Sequence, residues 1–325
     1  MIAPIATSPL SEPRSIGFLI VPDFSMVGFL CALSVFRIAN QVAGRDVYAP
    51  VILAERAGPV VASIGIPVAP ERVLADQTSL DMIFVCAGND PADRYAPELG
   101  GALRRLARRG AKLGAISTGA DLLARAGLLT GYRCTIYWEQ AAAFAETFPD
   151  IDLTDRIYEI DRDRYTCGGA TSAIDLCLRL VADDLGDQVA AAVSSTFVID
   201  RVRDAADRQH GVTTVKAPTL PPALTAAIAA MEAHMDEPLD LDTIGERAGI
   251  GPRQLNRLFQ QFLETSPADY YRRVRLTRAH QLITQTGMSV QDVAVACGFS
   301  SASHFSAAFR RQFGRGPRQV RAGAP

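Results

Sequence analysis

Short apolar runs alternate with helical stretches over the first 186 residues, and no other feature restricts the fold as much. IGFLIV (16–21) precedes the helix-like FLCALSVFRIANQVAG, which ends at Gly44. YAPVILAE (48–55) and LDMIFVCAG (80–88) read as strands, the second running into a Gly loop. ELGGALRRLARRG (98–110) has the spacing of an amphipathic helix stopped at Gly110. KLGAIS (112–117) is a strand, CTIYW (134–138) is another ahead of an Ala-rich helix, and YTCGGATSAIDLCLRLVADDLG (165–186) reads as strand, Gly turn and helix. Strands alternating with helices imply an α/β domain: a parallel sheet with helices on both faces. Ligands of such sheets sit beyond the carboxyl ends of the strands. The Gly88 loop, the turn at Ser117 and the Cys167-Gly168-Gly169 turn are therefore expected on one edge.

A helical, Arg-rich stretch is expected over about 188–209. HGVTTVKAPTLPPA (210–223) then carries three prolines and reads as a linker. Beyond it everything has helical spacing. The expected layout is a disordered lead-in (1–14), an α/β domain (15–209), the linker, and an all-α domain (224–325). The start, MIAPIATSPLSEP, lacks the basic and apolar regions of a secretory signal, and no apolar run reads as long enough to span a bilayer. The six cysteines form no C-x-x-C pair, so neither a disulfide framework nor a zinc site is indicated. A reducing, cytoplasmic setting is the expectation, with no metal and no cofactor.

The all-α half repeats itself. Ile244, Ala248, Gly249, Leu255 and Phe259 recur as Val293, Cys297, Gly298, Phe305 and Phe309, at an offset of 49 for the first three and 50 for the last two. Each copy is a short helix, a Gly turn and a second helix, the pattern of a helix-turn-helix unit. Asp240 is placed to cap the first copy, and Ser289 with Asp292 forms a capping box for the second. Ser266 and Pro267 open the helix between the copies. Residues 250–325 carry eleven Arg, no Lys and three acids, a charge of +8, against −2 for the whole chain and hence −10 for residues 1–249. A basic end on an acidic body suggests nucleic-acid binding.

Residues 224–321 resemble the DNA-binding domain of AraC-type transcription regulators, most densely over SVQDVAVACGFSSASHFSAAFRRQFGRGPRQVR (289–321). The resemblance implies base reading by two recognition helices. In PRQLNRLF (252–259), Leu255, Leu258 and Phe259 face the core, and Arg253, Asn256 and Arg257 take the outward positions. Arg can bond guanine and Asn adenine in two places each. In SASHFSAAF (301–309) the outward residues are Ser303, His304 and Ala307, a weakly polar surface, so the first helix is expected to supply more hydrogen-bonded readout. Ser301, Arg310 and Arg311 are expected on phosphates. The two helices should enter successive major grooves ~34 Å apart.

GAISTGADLLARAGLLTG (114–131) has the layout of a nucleophile elbow, a strained strand-to-helix turn that lifts a nucleophile off the sheet. Residues 15–185 resemble the ThiJ/PfpI branch of the class I glutamine amidotransferase-like fold, a flavodoxin-like parallel sheet, through AISTGADLLARAGLLTG. Catalytic relatives carry Cys then His at the elbow, where this chain has Ser117 and Thr118, and a Glu after the first strand, where VPDFSMVGF (21–29) offers Asp23 alone. Ser as nucleophile needs a base in reach. The histidines are His210, His234, His280 and His304, none of them in residues 1–209. The domain's one lysine, Lys112, begins the strand that ends at Ser117, ~16 Å away. No catalytic residues are therefore expected, and the chain is not expected to be an enzyme.

A pocket can outlast its chemistry. Gly88, Asn89, Ser117, Thr118 and Gly119 are expected to present backbone amides to an anion, with Tyr137, Trp138 and Glu139 forming one wall. An amidotransferase-like domain followed by an AraC-type domain is the arrangement of GlxA-type regulators. GYRCTIYWE (131–139) and FSMVGFLCALSVFRIAN (24–40) resemble the subgroup that controls catabolism of carnitine and glycine betaine, with Tyr137-Trp138 where that subgroup usually has His-Trp. The resemblance implies a homodimer that binds double-stranded promoter DNA and a small-molecule effector, with RNA polymerase as a further partner and no membrane association. Two other readings stay open: amidase-like activity at Ser117, and a constitutive DNA-binding protein whose first domain only dimerises.

Overall fold

Strand β1 (Arg14–Ile20) buries both of its faces: Phe18 packs on one side of the sheet and Leu19 on the other. This two-sided burial sets the architecture of the first unit, residues 1–209; a second unit comprises 210–325. The computed structural model describes residues 12–76, 79–88, 90–199, 201–209 and 220–322. Most of the expected lead-in and the linker's first ten residues lie outside the described residues.

After β1 come α1 (Met26–Ala43), β2 (Tyr48–Ala54), the two-residue strands β3 (Val60–Val61), β4 (Pro67–Val68) and β5 (Arg72–Val73), then β6 (Met82–Ala87) and α2 (Pro97–Arg108). β7 (Lys112–Ser117), α3 (Gly119–Arg125), β8 (Arg133–Thr135), α4 (Ala141–Thr147), β9 (Asp152–Thr154), β10 (Tyr158–Asp161), β11 (Arg164–Cys167), α5 (Ser172–Leu185) and α6 (Asp187–Thr196) follow. Seven strands form one sheet in the order β10-β11-β7-β6-β1-β2-β5, parallel throughout except for β10 against β11. The α/β reading holds.

Residues alternate between two cores, as a strand period of two requires. Met82, Phe84 and Cys86 of β6 join Phe18, Phe29 and Phe36 under α1, while Ile83, Val85 and Ala87 join Leu103 and Leu122 under α2 and α3. The Phe18 and Phe84 rings stack at 5.6 Å. Gly114 makes room for them: a Cβ there would lie 2.2 Å from the Phe84 ring.

Several boundaries differ from expectation. β8 ends at Thr135 rather than Trp138, because its partner β9 ends at Thr154 and the Thr135 hydroxyl takes the carbonyls of Thr154 and Arg156. A 3-10 turn, Trp138–Gln140, follows. The helix expected to reach about 209 stops at Thr196; Val198 takes φ +55°, and Arg203 is captured by Asp175 of α5. α1 is long and apolar enough to cross a membrane by length and composition, against the expectation of no such run. One face of it is buried, with Phe29, Ala32, Phe36 and Ala39 in the core.

In the second unit α7 (Pro222–Ala233) takes in the last two residues assigned to the linker, because Pro222 suits a first helical turn. α8 (Leu241–Arg247) and α9 (Pro252–Leu263) form the first helix-turn-helix, α10 (Pro267–Gln285) connects, and α11 (Val290–Ala296) and α12 (Ala302–Phe313) form the second, ahead of α13 (Pro317–Ala322). Asp240, Ser266 and Ser289 cap α8, α10 and α11 as expected. The box at Ser289 is half formed: the Asp292 carboxylate accepts from the Ser289 hydroxyl at 2.6 Å.

Two glycine substitutions should move stability in opposite directions. Gly119→Ala would place a Cβ 2.0 Å from the Val85 carbonyl oxygen, whereas Gly101→Ala meets only the end of Arg105 at 3.5 Å. Urea unfolding is expected to show a loss of about 2–4 kcal/mol for the first and a gain of about 0.5–1 kcal/mol for the second.

Candidate sensor pocket and nucleic-acid interface

Ser117 adopts φ +62°, the left-handed region that a side chain other than Gly enters at a cost of roughly 1–2 kcal/mol. The turn needs it: β7 hands the chain to α3 within one residue, and Gly119 lies against the Val85 carbonyl of neighbouring β6. Ser117 and Thr118 are buried. The Thr118 hydroxyl donates to the Gly88 carbonyl at 2.5 Å. On the other side the Gly169 turn stands on Ser117, so that a Cβ on Gly169 would fall 2.7 Å from Ser117 Cβ. The three turns beyond β6, β7 and β11 thus meet on one edge.

The Tyr137 N–H donates to the Ser117 carbonyl at 3.4 Å, which brings the aromatic pair to the elbow. The Tyr137 and Trp138 rings are half-buried and meet edge-on, with centroids 5.7 Å apart. Burial, then the adjacent Glu139 carboxylate, push the Tyr137 phenol above its ordinary pKa. Glu139 itself is exposed. Gly88, Ser117, Thr118, Gly119 and Tyr137 therefore come together, with Trp138 and Glu139 next in the chain. Asn89 lies outside the described residues. Farther along the same edge a cavity of about 520 Å³ opens beyond Ile20 and Ala54, with Glu55, Arg56, Arg94 and Tyr95 in its wall.

Among the described residues no side chain hydrogen-bonds Ser117 Oγ. Asp23 is held by Arg94 at 2.6 Å. Lys112 sits at the far end of β7, 5.5 Å from the Tyr165 ring centroid. Cys167 pairs in register with Ile116, next to the elbow, but burial pushes its thiol up to about 11. Burial also raises the thiols of Cys31, Cys86, Cys134 and Cys177.

In the second unit the repeat extends to individual hydrogen bonds. The bonds Ala248 N–H to Ile244, Gly249 N–H to Glu246 and Ile250 N–H to Gly245 recur 49 residues on as Cys297 to Val293, Gly298 to Val295 and Phe299 to Ala294. Gly249 and Gly298 take φ +68° and +69°. The recognition helices then start one residue apart in register, α9 after Gly251 and α12 after Ser301. Leu255, Leu258 and Phe259 of α9, and Phe305, Ala308 and Phe309 of α12, are buried.

The comparisons agree with both halves. The DJ-1/PfpI family pattern matches residues 14–183 and a helix-turn-helix domain pattern matches 244–323. The transcriptional regulator GbdR of Pseudomonas aeruginosa is 39% identical over 314 residues, 97% of this chain and 86% of its own. GlxA of Rhizobium meliloti, also a transcriptional regulator, is 37% identical over 319 residues, 97% of this chain and 98% of its own. An AraC family regulator of Pseudomonas putida superposes with a TM-score of 0.54 at 31% identity, over 57% of this chain and all of that one. The chain belongs to the GlxA-type AraC-family transcriptional regulators.

In this GlxA-type regulator Arg253, Asn256, Arg257, Ser303, His304, Ala307, Arg310 and Arg311 are all exposed on α9 or α12. Asn256 bonds back to the Pro252 carbonyl at 3.2 Å, so its amide must turn away to read a base. Ser301 caps α12, its oxygen accepting from His304 N–H at 3.2 Å, which leaves its hydroxyl proton free to reach a phosphate. Sequence reasoning missed two structural arginines and a glutamine. Arg275 of α10 donates to the Gly298 carbonyl at 2.8 Å and lies 4.7 Å from the Phe299 ring centroid, pinning the second turn. Arg203 holds the nearly fully buried Asp175 through its backbone N–H and its guanidinium. Gln209 binds beside Trp138. Only a charge pattern pointed toward the arginines, and nothing marked the glutamine.

Ser301→Ala removes a cap and is expected to lower the stability of the second unit by about 1 kcal/mol. Ser303→Ala, two positions along in the first turn of α12 and exposed, is expected to stay within about 0.5 kcal/mol of wild type. Denaturant melts of the full chain, followed by helical circular dichroism, check both.

Proposed function

We propose that this regulator binds promoter DNA through its paired helix-turn-helix units and is controlled by a small quaternary ammonium carboxylate, of the glycine betaine or carnitine type, at the elbow edge of its first unit. One observation carries the reading: an elbow without a histidine in its own unit lies upstream of a duplicated, Arg-rich reader in one chain. The first unit is accordingly a sensor rather than an enzyme. Its raised, buried thiols and the engaged Asp23 support this, since neither supplies an activated nucleophile or a base.

The ligand class follows from the walls. The Tyr137 and Trp138 rings suit a quaternary cation, and the Glu139 carboxylate beside Tyr137 adds negative charge there. The ligand's own carboxylate is assigned to the amide-lined side of the elbow. To switch anything, the ligand must bind two states of the protein unequally. A homodimer is part of the proposal. Val27 and Leu30 of α1 are exposed, as are Val61, Ile64 and Ile66 of the β3–β4 hairpin, which hydrogen-bonds to the loop leading into α1.

On DNA, Arg253, Asn256 and Arg257 read bases, Ser303, His304 and Ala307 form a lighter second reading surface, and Ser301, Arg310 and Arg311 hold phosphates. Arg257→Ala is expected to weaken binding to the cognate promoter by about 1–3 kcal/mol and relax its sequence preference. Arg310→Ala is expected to weaken all duplexes alike and lower the salt slope by about one. Anisotropy titrations on cognate and scrambled duplexes at several salt concentrations separate the two.

On the sensor side, glycine betaine or carnitine is expected to raise the melting temperature of the full chain, and Trp138→Ala to abolish the rise. Amino acids and polyamines serve as competing probes. A rise with those and none with betaines would overturn the ligand class.

A further inference from the structure

Residues 201–209 have almost no regular secondary structure, yet they are tied down along their whole length. At one end Arg203 is clamped on Asp175 and on the Thr171 hydroxyl at the start of α5. In the middle the Asp207 carbonyl accepts from Ile157 N–H at 2.9 Å, and Arg208 bridges Arg156. At the far end sits Gln209. Its backbone N–H donates to the Asp155 carbonyl at 2.7 Å. Its side-chain oxygen accepts from Trp138 N–H at 3.1 Å. Its Nε2 faces the Ile136 carbonyl, the Thr135 hydroxyl and the Arg156 carbonyl at 2.8, 2.9 and 3.0 Å, three acceptors for two hydrogens. The same carboxamide lies on Gly168, where a Cβ would fall 2.2 Å from Gln209 Oε1.

Gln209 therefore touches both turns that flank the elbow: the aromatic turn at Trp138 and the glycine turn whose next residue stands on Ser117. It is also the last residue of the first unit, and the covalent path to the reader starts at the residue after it. A loop tail needs none of this to end a domain. A single amide that accepts from Trp138 N–H and shares its two hydrogens among three acceptors beside a candidate pocket makes the position of the tail depend on the position of the pocket wall.

We infer that Gln209 is the positioning residue that couples occupancy of the elbow pocket to the DNA reader, a deepening that rests on the sensor reading above. With the strap 201–209 docked, Gln209 fixes the Trp138 backbone and so sets the aromatic wall on which the cation stacks. A ligand on that wall stabilises the docked strap, and the docked strap strengthens ligand binding by the same factor. Loss of the carboxamide releases the wall and the end of the strap together.

The test uses the full chain, wild type and Gln209→Ala, with Arg203→Ala as a second variant that cuts the strap at its other anchor. Hydrogen exchange is measured without ligand and with glycine betaine, beside affinity for a promoter duplex. In ligand-free Gln209→Ala, amides at Trp138 and Ile157 are expected to exchange about tenfold faster or more, with β6 unchanged as the control for folding. Its DNA affinity is expected to differ from wild type by about threefold or more, within the usual range of coupling energies, and Arg203→Ala to shift in the same direction. Faster exchange with unchanged DNA affinity in both variants would make the strap merely structural and overturn the inference. Unchanged exchange in Gln209→Ala would overturn it too. A wild type whose exchange ignores glycine betaine counts against the effector assignment alone; the ligand-free comparison still decides the coupling.

Discussion

The close approach of α3 to the sheet is the constraint on which the first unit depends. Gly119 sits so near the Val85 carbonyl that no side chain fits between them, and the chain reaches that position from β7 with Ser117 in a left-handed conformation. The strained serine then becomes the hub of the edge. Its carbonyl takes the Tyr137 N–H, its side chain supports the Gly169 turn, and its neighbour Thr118 locks the Gly88 carbonyl. The strain is a standing cost of about 1–2 kcal/mol. In an enzyme it would raise a nucleophile. Here, in a unit without histidine, the same geometry holds three turns together on one edge of the sheet.

The reader rests on a different device. Its two helix-turn-helix units share their turn hydrogen bonds at a fixed offset, yet the two glycines are not equivalent. A Cβ on Gly249 would meet nothing within 4 Å, so conformation alone demands glycine there. At Gly298 a Cβ would also strike Pro238 at 2.4 Å and the Met235 carbonyl at 2.7 Å. The second turn is thus packed against the segment between α7 and α8, with Arg275 pinning its carbonyl from α10. This packing holds the two units to one another within the reader, the condition for two recognition helices to address one stretch of duplex.

Much of this was legible from periodicity. The sheet strands β1, β2, β6 and β7 declared themselves as mainly apolar runs, since buried parallel strands leave no alternation to misread. The elbow showed as strand, Ser-Thr-Gly and helix, and the duplicated reader showed as apolar residues at a constant offset. What failed was set by partners far along the chain. β8 stops at Thr135 because of carbonyls at 154 and 156, and the Arg-rich tail leaves helical geometry because Asp175 holds Arg203. The two-residue strands β3, β4 and β5 are too short to carry a pattern. Gln209 has no local signature at all: its meaning lies in hydrogen bonds to residues 53 to 74 positions away. The candidate residues Ser117, Thr118 and Tyr137 were readable because they lie at or just beyond strand ends, where parallel sheets gather their sites.

If effector and DNA act on one another through this chain, thermodynamic linkage must couple their affinities. Calorimetric titration of glycine betaine into the full chain, free and then saturated with promoter duplex, measures the effector's affinity in both states. The two affinities are expected to differ by about 5- to 150-fold, the range of ordinary allosteric coupling, with the reciprocal shift in DNA affinity. Betaine binding of equal strength in the two titrations would contradict it.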